Sequence, residues 1–276
     1  MASTQQAVHE PRAAVVRAAG DSVITVCAVA VLAMMISTML HEGLGHALTA
    51  LLTVAHSGVL STVAWSSAND SKLIDAGGTI VNLIAAAVFW LLLRSARRGS
   101  AATRLFLLLG CAFNSFAGTG YFFFSGLTNF GDWAAVIQGL QPQALWRVLL
   151  VLGGVLGYWG ALVIAGTSLI EYVGLPRTQR GRILRITLAA YLSAVALACI
   201  AASFNPDGIR LVFVSALPAT AGAGSGLLYM QFYARRNVQP AGNVEPINRS
   251  FAWMAVSVAC VVPYIFVLGR GITLTR

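Results

Sequence analysis

The sequence predicts an all-α, polytopic transmembrane helical bundle of about seven spans, with a possible short strand or hairpin between spans one and two. Three observations predict it. The 276 residues are 58% hydrophobic and only 10% charged, with a mean hydropathy of +0.77. A soluble domain carries about 25% charged residues, so this chain lacks the polar surface to cover a soluble fold of its size. Apolar runs long enough to cross a bilayer, about 20 residues each, recur roughly at 22–53, 75–93, 105–127, 148–170, 186–205, 211–233 and 250–269. The arginines fall between these runs in an alternating pattern. No soluble appendage is expected, so residues 1–276 read as a single membrane domain.

The first run follows a polar stretch, residues 1–21, and is too long for the 7–15-residue apolar core of a signal peptide. It reads as an uncleaved first span. It is also too long for one straight span at 1.5 Å per residue, so it is expected to tilt, break near Gly43 and Gly45, or run out along the interface. The alternate connections are basic. Arg12 and Arg17 precede span one, and Arg94, Arg97, Arg98 and Arg104 separate spans two and three. Arg177, Arg180, Arg182 and Arg185 separate spans four and five, and Arg235, Arg236 and Arg249 separate spans six and seven. The opposite connections hold only Lys72, Arg147 and Arg210. Such alternation is the positive-inside pattern of seven spans with a cytoplasmic N-terminus. The net charge of +9 is therefore read as topology and contact with lipid headgroups, with no nucleic-acid partner.

Within the spans, Gly153 with Gly157 and Gly222 with Gly226 have the four-residue spacing that lets helices approach closely in lipid. Pro218 is expected to kink span six. Cys27, Cys111, Cys199 and Cys260 lie in separate apolar runs and read as packing residues. The segment 57–73, SGVLSTVAWSSANDSKL, is the long polar stretch between spans one and two. Val59, Ser61, Val63 and Trp65 would share one side of an extended chain, but the alternation is weak and a plain loop is an equal alternative. There is no internal repeat, Walker A loop or Rossmann fingerprint.

Ionisable residues inside a span are costly and are functional candidates by default. The run HEGLGHALTALL places three of them, His41, Glu42 and His46, within six residues of the first span. The common zinc signature is HExxH, with histidines four apart on one helix face. Here the spacing is HExxxH. On a regular helix, residues four apart differ by about 40° and residues five apart by about 140°. A π-type bulge accommodates the longer spacing, and Gly43 and Gly45 lower the cost of such a distortion. His9 lies in the polar N-terminal segment and is given no role. His56 is an alternative metal ligand.

HEGLGHAL, AGGTIVNLIAAAVFWLLL and GLTNFGDWAAV together resemble, in order and separation, the core of the site-2 protease family of intramembrane zinc metalloproteases. The likeness covers residues 22–140, with 141–276 as additional transmembrane helices. It implies that His41, His46 and Asp132 ligate zinc, that Glu42 is the catalytic acid and base, and that Asn82 stabilises the oxyanion or positions substrate. The chain departs from the family pattern at the inserted residue, at Gly78 where proline is usual, and at Gly-Asp-Trp in the third motif. The residues themselves leave alternatives open: Asp132 could cap a helix starting at Trp133, and Asn82 could bridge helices. Asn114, about five helical turns before Asp132, is expected to stay apart from the site.

Depth along the spans gives an independent expectation. His41 lies about 28 Å along span one at helical rise, near its outer end. Asn82 falls one to two turns into span two from the same face, and Asp132 follows span three at that face. The functional expectation is an intramembrane zinc metallopeptidase acting on transmembrane or membrane-associated protein substrates. The competing expectation is a non-catalytic scaffold or transporter with a degenerate metal motif. Substrate identity and oligomeric state are not legible.

Overall fold

A computed structural model describes residues 20–242 and 244–276; His9, Arg12 and Arg17 lie outside the described residues. Among the described residues, eight helices and one small sheet make up the fold. Helix α1 spans Val23–Thr53, α2 Lys72–Ser95, α3 Ala101–Thr128, α5 Gln143–Glu171, α6 Arg177–Ser203, α7 Ile209–Tyr233 and α8 Phe251–Leu268. These seven are long and apolar enough to cross a membrane. The short helix α4, Asp132–Ile137, lies between α3 and α5. The protein is thus an integral, multi-pass helical bundle.

Side chains start several helices. Ser22 caps α1, Ser71 caps α2, Ser100 caps α3 and Ser250 caps α8, each hydroxyl accepting from a backbone N–H three residues on. Such caps satisfy donors that a helix start leaves unpaired. Helix α1 does not break at Gly43 or Gly45. It runs on through a π-helical stretch, Leu40–Leu48. Helix α7 carries Pro218 within a second π-helical stretch, Val212–Gly222. Beside it, the Tyr158 and Tyr191 hydroxyls donate to the carbonyls of Ala223 and Ala221. In lipid, where water cannot do so, such bonds satisfy backbone acceptors.

Helix α3 is the hub, packed most extensively against α5, α2 and α1. Leu105, Leu108, Phe116, Ala165, Leu169 and Ile183 are among the residues that fill the core. Close approach depends on glycine, though only in part on the pairs read from the sequence. Gly157 faces Thr119, and Gly226 sits under Phe116 and Tyr158, but a Cβ at Gly153 would meet nothing within 4 Å. At Gly222 the nearest atom would be 3.9 Å away. The tight contact of α5 with α3 falls instead at Gly154, against the Phe123 backbone. Four-residue spacing marks one helix face but does not say which way it points.

The stretch between α1 and α2 forms strands rather than a plain loop. Strand β1 (Ser57–Leu60) pairs antiparallel with β2 (Trp65–Ser67) and, on its other side, with β3 (Ile272–Thr275). The turn is held by Ser61, whose Oγ accepts from the Val63 and Ala64 N–H groups and donates to the Ala64 carbonyl. The sheet order β2-β1-β3 leaves the outer edge of β2 unpaired within the sheet.

Candidate metal centre

The π-helical stretch decides the geometry of the two histidines. Its i→i+5 bonding brings residues five apart toward one face, and the His41 and His46 rings meet edge to face with centroids 4.7 Å apart. Each ring is held through Nδ1. His41 Nδ1–H donates to Asn82 Oδ1 at 2.6 Å, and His46 Nδ1–H donates to the Ile74 carbonyl at 2.7 Å. A carbonyl oxygen can only accept, so both Nδ1 atoms carry the proton. Both Nε2 atoms then present lone pairs. Orientation of a ligating imidazole through its other nitrogen is the usual arrangement at metal sites.

Asp132 reaches these nitrogens because the chain reverses after α3. Asn129 takes the left-handed conformation (φ 57°) and Gly131 has φ 86°, a region glycine enters without steric cost. Gly131 is the N-cap of α4 and Asp132 its first residue, so the cap alternative for Asp132 does not hold. The Asp132 Oδ2 lies 3.3 Å from His41 Nε2 and 3.4 Å from His46 Nε2. All three ligand atoms fall within 4.8 Å of one another.

These separations favour a metal over direct ion pairs. A charge-assisted N–H···O bond closes to about 2.7–2.9 Å. Two ligands about 2.0–2.1 Å from a tetrahedral ion stand roughly 3.3–3.4 Å apart. His41 Nε2 and Asp132 Oδ2 are buried with no hydrogen-bond partner. Two lone pairs and a carboxylate oxygen converging in a buried site repel one another, and a cation between them resolves the conflict. Space is available too: a Cβ on Gly78 would lie 2.5 Å from His46 Nε2 and 2.6 Å from His41 Nε2. The bare glycine backbone of α2 is what lets it pass so close to the rings.

Glu42 is 6% exposed and lines a cavity of about 1030 Å³ together with His46 and Asp132. The cavity lies between α3, α5, α7 and the β1–β2 hairpin, with Trp65 of β2 in its wall. Val155, Trp159 and Val214 line it while being 49%, 57% and 40% exposed. The cavity therefore opens to the surface of the bundle between α5 and α7. Glu42 also borders a narrower cavity of about 60 Å³, shared with His41 and Asn82.

Of the residues read from the sequence, His41, Glu42, His46 and Asp132 come together. Asn82 joins them from behind. It is fully buried; its Oδ1 accepts from His41, and its Nδ2 donates to the Ser37 carbonyl at 3.2 Å and to Asn114 Oδ1 at 2.7 Å. These are the bonds of a helix-bridging residue that orients a ligand, and they occupy the groups an oxyanion donor would need free. His56 is exposed at the start of the hairpin and is not part of the cluster.

Asn114 corrects the expectation that it stays apart. It is fully buried and anchors Asn82, with its own Nδ2 donating to the Gly110 carbonyl at 2.7 Å. Counting turns from Asp132 misled because the reversal at Asn129–Gly131 carries Asp132 back along α3. Its polar amide within an apolar run was the available signal. Tyr121, whose ring stacks on His41 at 4.8 Å, gave no such signal, since tyrosine is unremarkable in an apolar helix. Comparison of the chain with known families, with curated proteins and with solved structures gives no match.

Proposed function

We propose that this protein is an intramembrane zinc metallopeptidase of the site-2 protease kind, cleaving peptide bonds in transmembrane or membrane-associated protein substrates. The observation that carries the reading is the convergence of His41 Nε2, His46 Nε2 and Asp132 Oδ2 beside Glu42, on the wall of a cavity that opens between two apolar spans. Two imidazoles and one carboxylate are the ligand types of catalytic zinc, which keeps three protein ligands and one open position. Zinc held there supplies Lewis acidity, activating water and polarising a carbonyl.

The chain's own residues supply the rest. Asn82 and the Ile74 carbonyl hold the two imidazoles in the tautomer that ligates. The Glu42 carboxylate takes a proton from the attacking water and returns it to the amide nitrogen as the C–N bond breaks. The opening between α5 and α7 admits substrate from the side. A helical substrate hides its carbonyls in its own hydrogen bonds, so it must unwind first. The unpaired edge of β2, at the cavity wall, can hold the unwound segment by strand addition. Orientation follows the arginine pattern, with the N-terminus cytoplasmic and the site toward the outer face.

The test is metal content followed by turnover. Protein purified without chelator is expected to hold one zinc per chain, lost in His41→Ala and His46→Ala. Glu42→Gln should keep the zinc and lose at least about 100-fold in cleavage of a reconstituted membrane substrate, the scale of a lost general base. Zinc with no cleavage by the wild type would mark a metal-binding scaffold. Absence of zinc would remove the reading altogether.

A further inference from the structure

We propose that the Tyr121 hydroxyl is the hydrogen-bond donor to the substrate oxygen that gains negative charge during peptide hydrolysis, a role that rests on the peptidase reading above. Developing charge in a water-poor site needs a fixed donor, and such donors are among the largest contributors to catalysis. Asn82 cannot serve, since its carboxamide is committed to His41, Ser37 and Asn114. Two other donors at the cavity wall are committed. Tyr158 Oη–H donates to the Ala223 carbonyl and Ser215 Oγ–H to the Val63 carbonyl. The indole N–H of Trp65 lacks a partner but is buried, where no substrate can meet it.

Tyr121 is placed differently. It projects from α3 into the space between the two cavities and lines both, as Glu42 does. Its ring lies against His41 with an interplanar angle of 27°, so the hydroxyl is held by a rigid ring beside a metal ligand. Among the described cavity-lining donors, it alone both contacts a ligand of the proposed metal and has no hydrogen bond of its own.

The chemistry balances without any added reactant. As water attacks the carbonyl carbon, an O–C bond forms, the carbonyl π pair moves onto its oxygen, and Glu42 takes one proton. The Tyr121 O–H donates to that oxygen without giving up its proton. When the pair returns, the C–N bond breaks and Glu42 protonates the departing amine. The products are a carboxylic acid, which loses its proton to solvent, and a free amine.

The experiment compares a phosphinic pseudopeptide, whose charged tetrahedral oxygens mimic that state, with the parent peptide. Phosphinate binding is measured on zinc-loaded full-length wild type and Tyr121→Phe, and peptide binding on the same pair carrying Glu42→Gln. Tyr121→Phe is expected to keep one zinc and to bind the peptide within about threefold. It should lose roughly 30–100-fold in phosphinate affinity and about 100-fold in kcat with KM unchanged, the scale of one lost oxyanion donor. Equal changes for both ligands, or none, would overturn the assignment while leaving the peptidase reading standing. A wild type that neither binds phosphinate nor cleaves peptide would sink both. If Tyr121→Phe does not fold, 3,5-difluorotyrosine at position 121 gives the same reading: its more acidic hydroxyl should tighten phosphinate binding, and unchanged affinity overturns the proposal.

Discussion

Gly78 shows how much of the proposed metal site depends on an atom that is missing. Its neighbours Gly77 and Gly45 form the crossing of α2 over the π-helical stretch, where a Cβ on Gly45 would come within 2.6 Å of the Gly78 nitrogen. The two imidazoles cannot move aside to admit a side chain, because Asn82 and the Ile74 carbonyl hold them by Nδ1. Gly78→Ala therefore has to break one of those bonds or push α2 away. Zinc affinity is expected to fall more than about 100-fold, beyond the 10–100-fold typical of losing one orienting partner. Gly181→Ala is the matched control, since a Cβ there meets nothing within 4 Å. Competition with a fluorescent zinc chelator reads both. A Gly78→Ala protein that binds zinc like the control would show that the rings are not confined as described.

At the scale of the element, the π-helical stretch explains why the motif tolerates an extra residue. A π-bulge absorbs one inserted residue locally and leaves the helix on either side in phase. Leu44, between the two glycines, is 47% exposed and packs little. Deleting it should let the stretch relax to regular α-helix, with the histidines four apart on one face and Ala47 and Ala50 still turned inward. The expected outcome is a folded protein with stoichiometric zinc and an affinity within about tenfold of the wild type. Loss of zinc would mean that the π turn itself, rather than the face it creates, sets the ligand positions. The same element shows what a sequence can reveal. The histidine spacing, read against helical periodicity, implied a distortion and named its place. The hairpin was harder to read, because β1 is completed by Ile272–Thr275 from the far end of the chain, a pairing that no local alternation can report.

For the whole molecule, spans and charge alternation were legible because lipid imposes length and polarity on each helix separately. The packing between helices was not, since it depends on which face each glycine presents and on long-range polar ties. One such tie gathers the arginine-rich end of the bundle. Asp21, with a side chain 5% exposed, receives two hydrogen bonds of 2.7 Å from Arg182 and one of 2.9 Å from the Ile247 N–H. Arg182 also donates to the Glu245 carbonyl, and the Glu245 carboxylate pairs with Arg104 at 3.0 Å. The start of α1, the second turn of α6 and the segment before α8 are joined through one carboxylate. Burial raises the Asp21 pKa, but the Arg182 pair and the Ile247 N–H outweigh it and hold the folded value below the usual range. A depressed folded pKa contributes stability that is present above the unfolded value of about 3.9 and disappears as pH falls through the folded value. Removing one partner of such a pair costs about 3 kcal/mol, so Asp21→Asn should lower the Tm in detergent by several degrees at pH 5–8. Below about pH 4 the wild type progressively loses the same contribution, and the two melting curves should converge. A difference in Tm that stays constant down to about pH 2 would show that Asp21 acts through packing alone, not through the charge that ties the three segments together.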